Sequence, residues 1–564
     1  FINDSMNTTY LTGDFPFVGV TSYGNDLKEG ETVTWQVTSP QKPDFTQAAT
    51  GKAFERTNIP LWQLEEGVYD IEIKAISESG LSDGIKRTIY VTDTYHEIEK
   101  AVTEDLKENM TLQGGKDGLT TLLFTDAGRG RLVPVLYGLL YSGGSRLDQK
   151  YTAYQAALLL DEIAKDRDRY RDADTVDPSQ YQKPDGGYGI LPYSESDAEL
   201  SALLAGLLKD ESGSAMLKQY FYSLNFEEPG RINAPALFGL AVMGEPVLVD
   251  LNNALKVQNL STRDNLYLAL AFETLGESTV AGKIYNDRIA PLLENQKPYF
   301  RLMESDDTDT ILKDTALAAV LASRLDTQDK EGLIQYTVNN YSKKVLVNVE
   351  KLLVVLEEYR KLPASEVEFT YTYEGNTYTE NLKNGGSIAV KVPSVKLSEL
   401  KITKVSGDAS VVSIFKVPLT EQIQPDNNLK ITRTYYDYKT GEKTTYFRQN
   451  DIVKVVLDWD IAPTAMDTHY EITDYVPSGL KPIENPYQAG IRFDRGLVWW
   501  FRNTDGQKVT FNVWRNTEKK EPLVYYCRVV NPGTFKADSA IVQGTLVKDS
   551  MIQGKETTIT ISAD

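Results

Sequence analysis

Residues that commonly carry out chemistry are scarce in this chain. Its 564 residues include one cysteine, Cys527, and two histidines, His96 and His469. A single cysteine cannot form an internal disulfide, and so few sulfur and imidazole groups offer no cluster for a structural zinc ion. Cys527 alternates with its neighbours as in a strand, which favours an inert core residue over a reactive thiol. The composition therefore predicts a protein that is not an enzyme and that needs no cofactor.

Two groups of acidic residues have side chains that could do chemistry. Asp185, Glu195 and Asp197 lie close in sequence, and glycosidases use such pairs of carboxylates. Helix-capping and solvated turn positions carry the same residue types. The acidic run 304–309 offers oxygen ligands suited to Ca²⁺, but it lacks the glycine and the spaced bidentate glutamate of an EF-hand loop. We favour capping and solvated roles for both groups, and we predict no metal site.

Charge and hydropathy narrow the class of partner. The net charge of −20 argues against binding to nucleic acid or to an anionic membrane, because both need basic patches. The sequence has no run of about 18 apolar residues, so no membrane span is predicted. The segment from Phe1 to Ser5 resembles neither an initiator methionine nor a signal peptide. It predicts a piece of a longer protein, with any targeting segment upstream.

The spacing of apolar residues changes from a strand pattern to a helix pattern. Residues 1–92 alternate as strands do, for example at Val33, Trp35 and Val37, which predicts a β-sandwich. Apolar residues then recur at a spacing of three and four through residues 114–362, and Ser261-Thr-Arg-Asp264 predicts a capping box at the start of one helix. These helical units repeat every ~35–50 residues, the range of stacked or circularised helical hairpins. This middle segment is therefore predicted to form one all-α domain.

Strands return after the helices. Residues 363–420 are short for a sandwich, and a linker at Gln424–Asn428 leads to a last β domain within 421–564. The order of β, α, partial β and β predicts a multidomain α+β protein. In that arrangement the all-α domain is inserted into a β domain.

Four motifs in sequence order resemble one known family. Asp185-Gly-Gly-Tyr-Gly189, followed by Pro192 and a helix, resembles the Gly-Gly-Phe-Gly…Pro…Leu-Thr-Ala segment in the thioester domain of the bacterial alpha-2-macroglobulin family. The other three segments resemble a helix start, a turn and a strand entry of that family: Lys313–Ala318, Asp474–Leu480 and Asn531–Phe535. Each motif is short, but their common order along the chain is specific.

The resemblance implies a domain layout. A macroglobulin-like β-sandwich would occupy 1–92, and a CUB-like β domain would be formed by 93–113 together with 363–420. A thioester-domain-like α/α toroid would occupy 114–362. A C-terminal macroglobulin or receptor-binding-like sandwich would occupy 421–564. This layout reproduces the order of β and α segments found from periodicity.

The chain departs from the family at the reactive motif, Cys-x-Glu-Gln. In the family this motif precedes a helix that Gly130-Arg-Leu-Val-Pro134 resembles, and its thiol and glutamine side chain condense to a thioester. Counting back from that helix places Phe124, Asp126 and Ala127 at the positions of Cys, Glu and Gln. Phenylalanine has no nucleophile and alanine no carboxamide. The resemblance therefore predicts a family member that lacks the thioester.

The family resemblance implies a protease-trapping inhibitor of the bacterial cell envelope or exterior, with proteases as its partners. Without a thioester, trapping would have to be non-covalent and follow cleavage of a bait region upstream. The alternative is a structural or adhesive surface module that presents a face to another surface protein or to a glycan. A third interpretation, a toroid enzyme acting on glycans or prenyl chains, lacks a histidine or an Asp-rich motif at a suitable position.

Two aromatic features have both a binding and a packing interpretation. Tyr188 and Tyr193, with Asp197, could line a ligand cleft at the mouth of the toroid, but a glycine turn capped by tyrosines would have the same sequence. Trp499, Trp500 and Phe501 break strict alternation. They fit a buried strand entry or an exposed patch that contacts a neighbouring domain.

Overall fold

The computed structural model describes residues 1–164, 176–208, 213–226, 232–342, 345–363, 366–383, 385–419, 424–492 and 502–563. Contacts divide the chain into two compact units. The first combines Phe1–Glu99 with Val417–Asp564, and the second is Lys100–Lys416. The second unit is thus an insertion in the sequence of the first. Within the described ranges, no helix is both long enough and apolar enough to cross a membrane.

The elements follow the predicted order of β, α and β segments. In chain order, the strands are β1 (Ile2–Asp4), β2 (Thr9–Leu11), β3 (Phe15–Ser22), β4 (Thr32–Thr38), β5 (Thr46–Lys52), β6 (Thr57–Pro60), β7 (Gly67–Ser77), β8 (Ser82–Thr92), β9 (Glu97–Asp105), β10 (Leu119–Asp126), β11 (Leu293–Gln296), β12 (Tyr299–Leu302), β13 (Val367–Tyr373), β14 (Asn376–Leu382), β15 (Ser387–Pro393), β16 (Lys401–Ser406), β17 (Ala409–Pro418), β18 (Leu429–Asp437), β19 (Tyr446–Arg448), β20 (Ile452–Ile461), β21 (His469–Tyr475), β22 (Leu480–Pro482), β23 (Arg502–Asp505), β24 (Lys508–Trp514), β25 (Leu523–Val529), β26 (Gly533–Ala537), β27 (Ile541–Gly544), β28 (Met551–Gln553) and β29 (Thr557–Ser562). The α-helices are α1 (Val133–Leu140), α2 (Leu147–Ala164), α3 (Ala198–Leu208), α4 (Ser214–Phe226), α5 (Ala234–Val242), α6 (Leu248–Ala254), α7 (Thr262–Thr274), α8 (Ser278–Ile284), α9 (Thr308–Leu325), α10 (Lys330–Asn339) and α11 (Val345–Lys361).

The first unit is built from mainly antiparallel sheets, in which β2 pairs parallel to β8 and β19 pairs parallel to β29. One sheet has the order β2-β8-β7-β4-β5, and two others have the orders β18-β20-β25-β22 and β23-β24-β21-β27-β28. The alternation predicted for β4 is confirmed, since Val33, Trp35 and Val37 are buried while Thr34 and Gln36 are exposed. Because successive side chains of a strand point to opposite faces, this pattern fixes which face packs inward.

A further sheet of the first unit joins both ends of the chain. Its order is β1-β3-β26-β29-β19, with β6 also paired to β3. Gly533 of β26 pairs with Pro16 of β3, and Thr534 pairs with Phe15. One apolar core includes Trp35 from the N-terminal segment and residues such as Phe535 from the C-terminal one. The segments 1–99 and 417–564 therefore share a sheet and a core, whereas the sequence predicted two separate sandwiches.

The second unit contains two sheets and the helices. Its sheets have the orders β15-β10-β17-β9 and β14-β13-β16. The sequence prediction placed the start of the helical domain at residue 114, but β10 (Leu119–Asp126) is a strand between β15 and β17. In β10, Thr120, Leu122, Phe124 and Asp126 are buried in alternation, which is the strand period. The helices begin only after this strand.

The helices of the second unit form a closed ring. α3 packs on α5, α5 on α7, α7 on α9, α9 on α11, and α11 again contacts α3. α4, α6, α8 and α10 pack against members of this ring. Most residues of α5, α7 and α9 are buried, as expected of inner helices. The predicted capping box at Ser261 and Asp264 is confirmed at the start of α7.

Candidate functional site

The segment predicted to correspond to the reactive motif lies at the end of β10. Phe124 pairs in register with Ile388 on one side and Val411 on the other. Its side chain is completely buried, and its ring centroid lies 4.6 Å from that of Phe369 and 6.2 Å from that of Tyr371. An apolar ring in a sheet core has no access to a substrate and no group to form an acyl bond.

Asp126 and Ala127 form the turn from the sheet to the helices. Asp126 Oδ1 accepts a hydrogen bond of 2.8 Å from the Gly128 amide, and the Ala127 amide donates to the Asp408 carbonyl. Burial raises the pKa of Asp126, and the hydrogen bond from Gly128 opposes that rise. A Cβ on Gly130 would lie 1.8 Å from Asp126 Oδ2 and 2.7 Å from the Gly385 backbone nitrogen, so glycine is required there. These contacts give the two residues a structural role in the turn.

Arg129 fixes the position of the first helical turn. Its Nε donates to the carbonyl oxygens of Tyr359 and Leu362, each at 3.0 Å, and its guanidinium lies 4.0 Å above the Tyr359 ring. The end of α11 is thereby held against the start of the helical segment. The correspondence of Phe124, Asp126 and Ala127 to the family's Cys, Glu and Gln stays a prediction.

Cys527 lies far from this segment in sequence and within the other unit. It is in β25, paired with Val453 of β20, and its side chain is completely buried. Burial raises the pKa of its thiol, and the charge of Asp474 raises it further. A thiol with a raised pKa carries little of the thiolate form that reacts, so Cys527 has the properties of a packing residue.

The glycine-rich motif at 185–189 forms a tight loop before α3. Gly186 has a φ of +97°, and a Cβ there would lie 2.1 Å from the Met216 carbonyl oxygen, so only glycine fits. Tyr188 is 1% exposed and packs in the helical core. Tyr193, in contrast, is 84% exposed. The structure therefore does not bring the two tyrosines together in one cleft.

The acidic residues near this loop are engaged in local hydrogen bonds. Asp197 Oδ1 accepts from the Leu200 amide at 2.8 Å, which caps α3. Asp185 Oδ1 accepts from the Gly187 amide at 3.0 Å and from the Ser196 hydroxyl at 2.7 Å. Both carboxylates thus stabilise backbone turns, which is the role favoured by the sequence analysis.

The remaining predicted groups are the acidic run 304–309 and the aromatic residues at 499–501. In the acidic run, Asp307 Oδ2 accepts from the Thr310 amide and caps α9. Among the described residues, no group of three or more His, Cys, Asp or Glu side chains could hold a metal ion. Trp499, Trp500 and Phe501 lie outside the described residues.

A charged cluster beside the capped start of α3 was not predicted. Arg263, in the first turn of α7, reaches three other helices of the ring. Its Nε lies 2.6 Å from Glu199 of α3, one terminal nitrogen lies 3.2 Å from Asp314 of α9, and the other lies 2.5 Å from Glu350 of α11. Lys313 adds a second positive charge, 3.5 Å from Glu199. One guanidinium therefore connects four elements of the ring.

Burial dominates the electrostatics of this cluster. It raises the pKa of Glu350 to about 7, although the charge of Arg263 and its hydrogen bond oppose the rise. Burial likewise raises the pKa of Asp314. Glu350 is completely buried, and its Oε2 has no hydrogen-bond partner among the described residues. The cluster holds Glu350 close to its protonation point at neutral pH, but Arg263 occupies the centre of the cluster and pairs with that carboxylate.

Sequence signals for the cluster were weak. Lys313 and Asp314 belong to a recognised motif, but Arg263 appeared only inside a capping box, and Glu350 interrupts an apolar segment of α11. Arg263 and Glu350 are 87 positions apart, so their contact can be recognised only when the arrangement of the helices in the ring is known. Local periodicity does not contain that information.

Comparison with known proteins identifies the class of fold. A family model described as the bacterial alpha-2-macroglobulin MG10 domain matches residues 429–546. Trypsin-activated alpha-2-macroglobulin from Escherichia coli is 14% identical, with a TM-score of 0.63 over 99% of this chain and 43% of its own. Elastase-activated alpha-2-macroglobulin from the same organism is 15% identical, with a TM-score of 0.53 over 99% of this chain and 56% of its own. No curated protein matches the chain.

These matches confirm the resemblance to alpha-2-macroglobulin-like proteins and the predicted fold class. The fold combines β-sandwiches with an α-helical toroid, and the last part of the chain matches a named macroglobulin domain. The chain spans 43% and 56% of the two E. coli structures. The activity of those whole proteins can therefore only be proposed for this chain.

Proposed function

We propose that this chain is part of a bacterial endopeptidase inhibitor of the alpha-2-macroglobulin type. The observation that carries the proposal is the MG10 match at residues 429–546, together with a fold likeness that covers 99% of the chain. Both similar structures are of protease-activated proteins, one by trypsin and one by elastase. Endopeptidases are therefore the proposed partners, and the cell envelope or exterior is the proposed location.

We further propose that the protease is held without a covalent bond. A thioester needs a cysteine, and residues 1–526 contain none. Cys527 is buried in a strand of the first unit. Counting back from the helix that Gly130–Pro134 resembles puts Phe124 where the family has its reactive cysteine, which supports this interpretation of the site. On this proposal the protein has no catalytic activity of its own, and inhibition results from closure around a cleaving protease.

Trapping can be tested with the protein that carries this chain and with trypsin and elastase as the proteases. Non-covalent trapping should slow hydrolysis of a large protein substrate while hydrolysis of a small peptide substrate continues, because a trapped protease keeps its active site. Denaturing gels should release the protease completely. Unchanged hydrolysis of the large substrate would remove the inhibitor proposal.

The Cys527→Ser variant is the matched control for covalent chemistry. It should inhibit as the original protein does, because the buried thiol takes no part. Methylamine treatment should add no mass and expose no new thiol in either protein. A protease adduct that survives denaturation in the original protein but is absent from the variant would contradict non-covalent trapping. If no inhibition occurs at all, the alternative of a structural or adhesive surface module is favoured.

A further inference from the structure

An open surface cavity of about 370 Å³ lies on the helical unit between α8 and the end of α9, and its residues Ser278, Thr279 and Asn286 are exposed. Ser278, Gly282 and Asn286 line one wall at a spacing of four residues, which is one face of a helix. This wall continues from α8 into a π-helical turn, Tyr285–Ile289. Such turns are rare and often accompany functional sites. Arg324, near the end of α9, lines the opposite wall. The volume is in the range of small-molecule sites.

Several polar groups of this cavity are not used by the fold. The hydroxyl groups of Ser278 and Thr279 and the amide of Asn286 make no hydrogen bond to another described residue. A hydroxyl or an amide can both donate and accept. The wall therefore presents uncommitted donors and acceptors side by side, which matches a ligand that carries several hydroxyl groups.

The charge of the cavity is already balanced. Arg324 Nε donates to Glu357 Oε1 at 3.1 Å, a terminal nitrogen donates to the Thr274 hydroxyl at 3.1 Å, and Glu273 lies 3.5 Å away. A guanidinium held between two carboxylates does not call for an anionic ligand. The chemistry thus favours an uncharged ligand over a phosphate or a carboxylate.

Gly282 keeps the cavity open. Glycine inside a helix is destabilising relative to alanine, so a helical glycine calls for a reason. Packing does not supply one here, because a Cβ on Gly282 would meet no atom within 4 Å. The missing side chain instead leaves room in the centre of the polar wall.

We propose that this cavity binds one neutral sugar unit, free or at the end of a glycan, through Ser278, Thr279 and Asn286, with Gly282 leaving room for the sugar at the centre of this wall. This site is separate from protease trapping and does not depend on that function. Its weak polar contacts suit low-affinity recognition of a ring with several hydroxyl groups. Hydroxyl and amide groups replace the water that solvates such a ring.

Saturation-transfer NMR on the purified chain tests the proposal with four probes: mannose, its α-1,6 disaccharide, N-acetylglucosamine and its β-1,4 disaccharide. At least one probe should receive saturation, and the signal should fall at least about tenfold in Gly282→Leu, since losing ~1.4 kcal/mol of binding is a tenfold change. The Gly282→Leu variant should melt no lower than the original chain, because leucine is a better helix former. Comparing monosaccharides with disaccharides distinguishes a free sugar from a glycan terminus.

Gly138→Leu is the matched control, since Gly138 is also a helix glycine, in α1, whose Cβ would meet nothing within 4 Å. It should leave the NMR signal unchanged. Equal signals from the Gly282→Leu variant and the original chain would place the sugar elsewhere and overturn the proposal. Absence of binding by all four probes would overturn it as well.

Discussion

Phe124 illustrates how one side chain can set the chemistry of a site. Its ring fills the space between the two sheets of the second unit, against Phe369 and Tyr371. Its neighbour Asp126 is fixed by the turn that begins the helical segment. Phe124 therefore serves to pack the core, and Asp126 serves to hold the backbone of the turn. Restoring the residues of a reactive motif should not restore its chemistry.

The variant Phe124→Cys with Ala127→Gln tests this argument. We expect no thioester, because the new thiol would lie in a sheet core and residue 127 in a hydrogen-bonded turn. We also expect a loss of about 3 kcal/mol in the free energy of unfolding, since replacing a buried ring by a small side chain leaves a cavity. Mass spectrometry after methylamine treatment measures the first effect, and urea unfolding followed by circular dichroism measures the second. A methylamine adduct on the introduced glutamine side chain would contradict the expectation.

Asp14 couples the stability of the first unit to pH. Its side chain is completely buried, where Oδ2 accepts from the Leu11 amide at 3.0 Å and Oδ1 from the Lys536 amide at 2.7 Å. Burial raises its pKa to about 7, although both amides and the charge of Lys536 oppose the rise. The folded state therefore binds a proton more tightly than the unfolded state. The stabilisation of the folded state by protonated Asp14 is complete below pH 3.8 and is lost as the pH rises through about 7.

Between pH 5 and 6.5 we expect the titration of Asp14 to lower the free energy of unfolding by about 1.4 kcal/mol for each unit by which the pH rises. Asp14→Asn should remove this slope, because asparagine does not titrate. Tryptophan fluorescence during urea unfolding reports the first unit, since all six tryptophans of the chain lie before residue 99 or after residue 417. Glu350, in the other unit, is identical in both proteins and so cancels in the comparison. Parallel pH profiles of the two proteins would show that Asp14 does not titrate in this range.

At the scale of elements, Arg263 acts as a clamp on the helical ring. It contacts carboxylates on α3, α9 and α11, and its own side chain is only 11% exposed. Each of these helices also has an apolar face buried in the ring. The apolar faces bring the helices together, while the ion pairs define how far one helix start can slide past the next.

Removing the clamp should loosen the ring. We expect Arg263→Ala to cost about 3 kcal/mol in the free energy of unfolding, because buried carboxylates lose their counter-ion. Circular dichroism at a helical wavelength follows the second unit, and tryptophan fluorescence should show an unchanged transition of the first. Arg360→Ala is the control: Arg360 is 67% exposed and pairs with Glu357 at 3.4 Å, so its loss should cost less than about 1 kcal/mol.

A second change separates charge from packing. Adding Glu350→Gln to Arg263→Ala should recover part of the lost stability, since a neutral amide no longer needs the guanidinium. Further loss in the double variant would show that Glu350 stabilises the ring by contacts other than the ion pair with Arg263.

Elements were predictable from the sequence where their signal is local. The alternation at Val33, Trp35 and Val37 and the capping box at Ser261 both depend on residues a few positions apart, and both are confirmed. The sequence prediction places β10 in the helical domain, because a short apolar run fits a helix as well as a strand. Its pairing with β15 and β17 is what makes it a strand, and that pairing cannot be seen in the local sequence. The Arg263 cluster was missed for the same reason, since its members are distant in sequence.

At the scale of the whole molecule, the first unit is assembled from the two ends of the chain. Arg56 of the N-terminal segment donates to the Asn531 side chain at 2.7 Å and to the Val530 carbonyl. Asp538 accepts from the Thr94 hydroxyl at 2.6 Å and from the Tyr95 amide at 2.9 Å. Together with the pairing of β3 and β26, these contacts make neither segment complete without the other.

The points where the second unit is inserted lie next to each other within the first unit. The Leu419 amide donates to the His96 carbonyl at 2.9 Å, and Ile98 packs with Leu419 and Met551. Lys548 also pairs with Glu99 at 3.1 Å. A short chain can therefore connect Glu99 to Val417 without disturbing the contacts on either side.

Replacing residues 100–416 with a short glycine-serine linker should give a first unit that folds by itself. The linker closes a much shorter loop than the 317 residues it replaces, so closure costs less entropy. Tryptophan emission and the urea midpoint should match those of the first unit in the full chain. Residues 1–99 alone should not fold in this way, because β3 would lose β26 and Trp35 would lose the core residues supplied by the C-terminal segment. An unfolded or aggregated linker variant would show that the first unit needs residues 100–416 to fold, and a stably folded 1–99 segment would show that the two ends are independent domains.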